Sequence, residues 1–254
     1  YKSFFLKDGV AIYGGFAGTE TALAQRSFTT NITTLSGDFN GNDGTTFDKS
    51  DNAYHVVVSV SDGATTILDG FTIKGGNADV NNGIYVESQF IFSGVGGALH
   101  CTLSSLTIAN CNFLQNNASS HGGAIYNASS NATITNCSFL GNTTVNWGGA
   151  IYNGTNSSTI ITHCIFSGNK ASVEAGGAIY NSSSNSTITQ CIFSGNSGFK
   201  WGGAIYNGGS SHTINNCVFA NNTAKNSGGA IYNSSSSSSI NHCRFSPNVA
   251  PRLG

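Results

Sequence analysis

The sequence predicts an all-β solenoid, a parallel β-helix with turns of about 26 residues, and three observations carry that prediction. Gly-Gly-Ala-Ile-Tyr-Asn occurs five times, and once more as Gly-Gly-Ala-Leu-His-Cys, with copies starting at Gly96, Gly122, Gly148, Gly176, Gly202 and Gly228. A second motif, Phe-x-x-Asn, keeps step with it at Phe113, Phe139, Phe166, Phe193, Phe219 and Phe245. Two residues ahead of each Phe stands a cysteine: Cys111, Cys137, Cys164, Cys191, Cys217 and Cys243. Motifs that share one period mark repeated units, each burying an apolar face against its neighbour.

Taken in order, residues 1–95 form irregular N-terminal turns with a candidate cap, 96–248 the regular turns and 249–254 a tail, all within one domain spanning 1–254. The first part holds short β-branched segments set off by Gly and Asp, at Val10 to Tyr13, His55 to Val60 and Thr65 to Ile73. The one helical signal is Thr19 to Gln25, a cap residue followed by helix formers. Residues 77–95 read as an insertion with one strand, Gly83 to Val86. Each regular turn then offers three strand-like pieces, as in 148–153, 159–162 and 164–166. Three strands per period describe a three-walled coil, and six such turns stacked at the usual strand separation rise about 29 Å. A crossover between parallel strands is right-handed, which gives the coil its hand.

Stacking turns each motif position into a column. Period-two alternation points Cys and Phe to one side, and the Phe column makes that side the interior. Parallel neighbours would need adjustment to form disulfides, so buried free thiols are the favoured reading of the cysteine ladder. Cys101 replaces the Asn of Tyr-Asn and stands outside that ladder. The polar residues before each Cys (Asn110, Asn136, His163, Gln190, Asn216, His242) suggest a hydrogen-bonding ladder at a corner. The Asn of Phe-x-x-Asn suits a left-handed turn residue. In Gly-Gly-Ala-Ile-Tyr-Asn, strict alternation sets Ile with the second Gly and Tyr with Ala. Ile inward is preferred, exposing Tyr126, Tyr152, Tyr180, Tyr206 and Tyr232, with His100 at the sixth place, as a candidate glycan-binding stripe. The alternative packs Tyr inward.

The wording of residues 12–21 and 68–76 resembles the opening turns of bacterial secreted right-handed parallel β-helix proteins. The pairing of Gly-Gly-Ala-[Ile/Leu] with Phe-x-x-Asn, as in Gly148 to Ile151 with Phe166 to Asn169, is similar to the repeats of chlamydial polymorphic outer-membrane proteins. That resemblance covers 96–248 and implies a surface-exposed segment with adhesive or structural roles, its partners being surface glycans or host proteins.

Composition narrows the classes. Charged residues make up 8% and the formal net charge is −1, which argues against nucleic-acid binding or a polybasic membrane anchor. No apolar run approaches the roughly 18 residues of a membrane helix, so no membrane insertion by this segment is expected. No signal peptide precedes Tyr1, so the chain reads as a mature or excised product. No cap follows Phe245, and a longer protein or end-to-end self-association is expected. Twelve Asn-x-Ser/Thr sequons suit an extracellular or cell-surface location: Asn31, Asn117, Asn127, Asn131, Asn136, Asn142, Asn153, Asn156, Asn181, Asn185, Asn221 and Asn233.

Glycan hydrolysis wants two carboxylates at a set separation, yet from residue 101 onward Glu174 is the one acid. No catalytic residue is assigned, and an enzyme is not expected. Polysaccharide binding or degradation, by a lyase or hydrolase, is the alternative to an adhesive scaffold. Acids are densest at 37–44, where Asp38, Asn40, Asn42 and Asp43 form a candidate calcium loop. No other cofactor is expected.

Overall fold

The computed structural model describes residues 2–44 and 48–251. Three parallel sheets of eight strands each form the walls of a coil. The first sheet runs from Phe4–Phe5 through Val57–Val60 and Leu99–Thr102 to Ile231–Ser234, the second from Ala11–Tyr13 to Ser239–Asn241, and the third from Thr33–Ser36 to Arg244–Phe245. Register places like on like: Ile125 pairs with Ile151 and Ile151 with Ile179, while Phe139 pairs with Phe166 and Phe166 with Phe193. A fourth sheet of six two-residue strands, from Asn77–Ala78 to Thr223–Ala224, closes the section. Its strands are too short to show alternation, so the three-strand reading of each turn missed them.

The core follows from the alternation. Phe113, Phe139, Phe166, Phe193 and Phe219 have no exposed surface and stack face to face, with centroids 4.7 or 4.8 Å apart along the five. Beside them Cys111, Cys137, Cys164, Cys191 and Cys217 are buried, Cys243 is half-buried, and all are free thiols. The sulfurs of Cys137, Cys191, Cys217 and Cys243 each accept the cysteine N–H of the turn before, as where Cys164 N donates to Cys191 Sγ at 3.4 Å. Desolvation holds the Cys101, Cys137 and Cys243 thiols above their ordinary range.

Strict alternation fails at Gly-Gly-Ala. The chain bends there, and Ala124, Ala150, Ala178 and Ala204 are as buried as the Ile that follows each of them, rather than facing outward with Tyr. Two polar columns also exchange the roles expected of them. The residues before each Cys, from Asn110 to His242, are the left-handed ones, with φ of 52–53°, and they turn the chain between the second and third sheets. In Phe-x-x-Asn the left-handed residue is the third, as at Gln115, Gly141, Gly168, Gly195 and Asn221.

The motif Asn itself is buried at Asn116, Asn142, Asn169, Asn196 and Asn222. Its amide donates to a Phe carbonyl of the preceding turn and to the next Asn, as Asn169 Nδ2 does to Phe139 O and to Asn196 Oδ1, both at 2.9 Å. A second such ladder uses the Asn of Tyr-Asn, linking Asn127, Asn153, Asn181, Asn207 and Asn233 by amide contacts of 2.8 or 2.9 Å. Burying amides is costly unless every group is paired, and identical side chains stacked one strand apart supply the pairing.

In the irregular part the expected segments form strands at Ala11–Tyr13, Val57–Val60, Ile67–Asp69 and Phe71–Lys74, the last two separated by left-handed Gly70. The helical signal shrinks to a 3-10 turn at Leu23–Gln25: the Gln25 side chain caps the Thr21 and Ala22 amides at its start, and the extended backbone of Arg26 ends it. Arg26 ties this excursion down through Asp69 at 2.6 Å. The insertion is an antiparallel hairpin, Gly83–Val86 with Gln89–Phe92. Its Ile91, Ile84 and Val86 pack on Val58 and Val60, covering the start of the first sheet's outer face. At the other end Phe245 is 50% exposed and Val249 55%.

Candidate functional site

Two surfaces carry the sequence-predicted site residues: the outer face of the first sheet and the loop that follows Ser36.

On the first sheet, Tyr126, Tyr152, Tyr180, Tyr206 and Tyr232 point away from the Ile core, but they are half-buried rather than free. Successive rings lie 5.3, 5.6, 4.5 and 5.5 Å apart and within 23° of parallel. The expected stripe of aromatic faces is therefore a pile of rings. Ring faces in the pile are covered by the neighbouring turns. Burial raises the pKa of Tyr126 and Tyr152. His100, the sixth place, is buried against His55, with centroids 5.1 Å apart. Burial lowers the pKa of His55 to about 4, and burial followed by the neighbouring His55 lowers that of His100.

The residue before each Gly-Gly forms a flanking column bridged from turn to turn: Val95, His121, Trp147, Ala175, Trp201 and Ser227. Trp147 lies 5.7 Å from Tyr180 and Trp201 lies 6.0 Å from Tyr232, each leaning over the Tyr of the following turn. Between the two indoles the column holds the small, buried Ala175, preceded by Glu174, which pairs with Lys200. On the far side of the Tyr pile the small residues Ala128, Ser182, Gly208 and Ser234 end their strands. Both tryptophans were legible as the residue ahead of the motif, but their irregular spacing hid them from a search for repeats.

The loop after Ser36 does not fold as an alternating set of calcium ligands. Asp38 turns both carboxylate oxygens to backbone, accepting from Gly41, Asn42 and Asp43 at 2.8–3.4 Å. Asn40 is exposed, and its N–H is held by Asp51 at 2.8 Å. No group of three or more His, Cys, Asp or Glu gathers as a metal centre among the described residues. The loop walls a groove of about 900 Å³ over the third sheet, lined by Thr34, Ser36, Asp38, Asp43, Lys49 and Lys74 among others.

The sequons divide by position. Asn131, Asn136, Asn156, Asn185, Asn221 and Asn233 are exposed, and Asn31 and Asn117 are half-buried. Asn127, Asn142, Asn153 and Asn181 are fully buried members of the amide ladders. A glycan on those four nitrogens is incompatible with the fold, which corrects their place among the candidate glycosylation sites. No helix is long and apolar enough to cross a membrane among the described residues.

A family model described as a right-handed β-helix region matches residues 26–212 and 97–251. Neither the curated proteins nor the solved structures contain a match.

Proposed function

The chain belongs to the right-handed β-helix family, and from that premise we propose that it is an extracellular structural or adhesive scaffold that does no chemistry on its ligand. The observation that carries this reading is the sameness of the turns. Two amide ladders, a Phe stack and a Tyr pile run through the regular turns in unbroken register. Catalysis needs one turn to differ, with an acid and a base brought together there. In the regular turns the sole acid, Glu174, is paired to Lys200. A stiff rod whose exposed sequons carry glycans, continuing in a longer surface protein or stacking on its own kind, fits this build. Such a rod presents surface glycans or host proteins with one repeated face.

Carbohydrate binding is the second reading, favoured by Trp147 and Trp201, which stand two turns apart in one column beside the Tyr pile. Sugar rings stack on aromatic faces, and in the Tyr pile those faces are covered, so the indoles would carry the contact. The test is retention on a glycan array by the wild type and by Trp147→Ala/Trp201→Ala, run beside a polysaccharide panel with and without calcium. The scaffold reading expects no new reducing ends and no unsaturated product; either product overturns it. Retention that survives the double substitution removes the indole platform.

A further inference from the structure

The loop between the third and first sheets holds acceptor oxygens that its own fold leaves unmatched. Asn52 is 8% exposed, and its amide nitrogen is committed, donating to Asp43 Oδ2 and to Gly75 O, each at 2.8 Å. That commitment fixes the carboxamide orientation, and its oxygen, Asn52 Oδ1, is buried with no donor. Asp43 Oδ1, on the carboxylate that Asn52 contacts, is likewise buried with no donor. So is Asp51 Oδ1, whose partner oxygen caps the Phe39 and Asn40 amides at 3.1 and 2.8 Å. Neither Asp43 nor Asp51 forms an ion pair among the described residues, where the two ion pairs are Arg26–Asp69 and Lys200–Glu174.

Three buried oxygens without donors, two of them on carboxylates, are costly for a fold to keep. Elsewhere this chain matches its buried amides almost group for group. The exception calls for a positive charge, and hard oxygen donors of mixed carboxylate and carboxamide type suit calcium. We propose that Asp43, Asp51 and Asn52 form a calcium site within the loop between the third and first sheets, its remaining positions filled by water. The donor set differs from the one that alternation along 38–43 points to. Asp38 and Asn40 serve the turn, whereas the ligands come from the two ends of the loop and draw them together. Two carboxylates place the affinity in the weak range of extracellular modules, with a Kd on the order of 10⁻⁴–10⁻³ M. This inference stands apart from the adhesive reading, because a cation that pins a loop serves a scaffold and an enzyme equally.

The experiment is calcium titration of the purified chain, followed by calorimetry and by melting temperature, with terbium luminescence as a second probe. The wild type should bind about one calcium and melt higher in 5 mM calcium (about ten times the expected Kd) than in EDTA, with magnesium at the same concentration giving a smaller shift. Asp43→Asn and Asp51→Asn should each weaken calcium binding at least tenfold. Asp43→Asn carries a sharper signature: it removes a buried carboxylate oxygen that has no donor, so in EDTA it should melt no lower than the wild type while losing the calcium response. Terbium emission should fall in both variants. No binding by the wild type up to 10 mM calcium (well beyond the weak range) overturns the site. A calcium response unchanged in both variants overturns the ligand assignment, and equal shifts with calcium, magnesium and sodium reduce the effect to screening.

Discussion

Asn169 makes four side-chain hydrogen bonds out of reach of water: its oxygen accepts from Asn142 N and Asn142 Nδ2, and its nitrogen donates to Phe139 O and Asn196 Oδ1. Asn169→Ala removes all of them and leaves the Phe139 carbonyl and the Asn142 donors short, which should cost about 3 kcal/mol. A urea midpoint close to the wild type's, at unchanged m, would make the column a spectator. The second ladder offers the reverse test. Asn127 Oδ1 has no donor, because the paired residue one turn earlier is Cys101 where later turns have Asn. Cys101→Asn should supply that donor and add about 1 kcal/mol, or roughly 2–4 °C in Tm for a chain of this size; a lower Tm would mean that the site cannot take the larger side chain. Sequence alone made Cys and Phe legible as core, since period two leaves them one place to go. The asparagines were misread because Asn suits a left-handed turn and a buried ladder equally well. Nothing in Phe-x-x-Asn says that the turn sits one residue earlier.

At the scale of elements, the Gly-Gly bend sets how closely turns approach. A Cβ on Gly177 would lie 2.1 Å from Gly203 O and 2.5 Å from the backbone of Ser197, so neighbouring turns would have to part. Gly168, unlike Gly177, is left-handed, at φ +64°, and nothing lies within 4 Å of a Cβ there. Gly177→Ala should therefore cost upward of 4 kcal/mol, or prevent folding, while Gly168→Ala should cost about 1–2 kcal/mol from backbone strain alone. Chemical denaturation of the two variants checks the contrast, and equal losses would put both effects down to glycine's backbone freedom. The same bend explains a misreading. Alternation carried through Gly-Gly-Ala turned Ala outward, whereas the chain changes direction there and takes Ala inside with Ile. The repeat was plain from spacing, but its cause, one turn's carbonyl against the next turn's Cα, is a contact between residues 26 apart. The hairpin of 83–92 was half visible: its second strand, Gln-Phe-Ile-Phe, is as rich in aromatic and β-branched residues as the first, yet only the first was read as a strand.

For the whole molecule, a stack in which each turn contacts only its neighbours gains stability from every interface, so a weakness in one turn is felt along the rod. Acid should find such a weakness where the irregular and regular turns meet. His55 is buried, one ring nitrogen 3.0 Å from Gly96 O and the other unpartnered, and burial lowers its pKa to about 4 from the ordinary 6.5. A folded pKa below the unfolded one means that the unfolded chain binds more protons between those values. Stability is then complete above about pH 6.5, falls as pH drops through the window and levels off below about pH 4. The slope is about 1.4 kcal/mol per pH unit for each such histidine, so His55 alone costs about 2 kcal/mol by pH 5. His100, lowered for the same reason and by His55 beside it, adds in the same direction. Asp62 opposes them: burial raises its pKa, so its own contribution declines as pH rises above the ordinary carboxylate value of 3.8. His121 and His212, each lowered to about 4 by burial, act with them, and four lowered histidines against one raised carboxyl give a Tm that should fall steadily from pH 7 to pH 4.5. His100→Phe, which keeps a ring against Tyr126, should flatten that fall without lowering the Tm at pH 7. A Tm independent of pH across the window, or a slope untouched by His100→Phe, would mean that acid enters the rod elsewhere than at this junction.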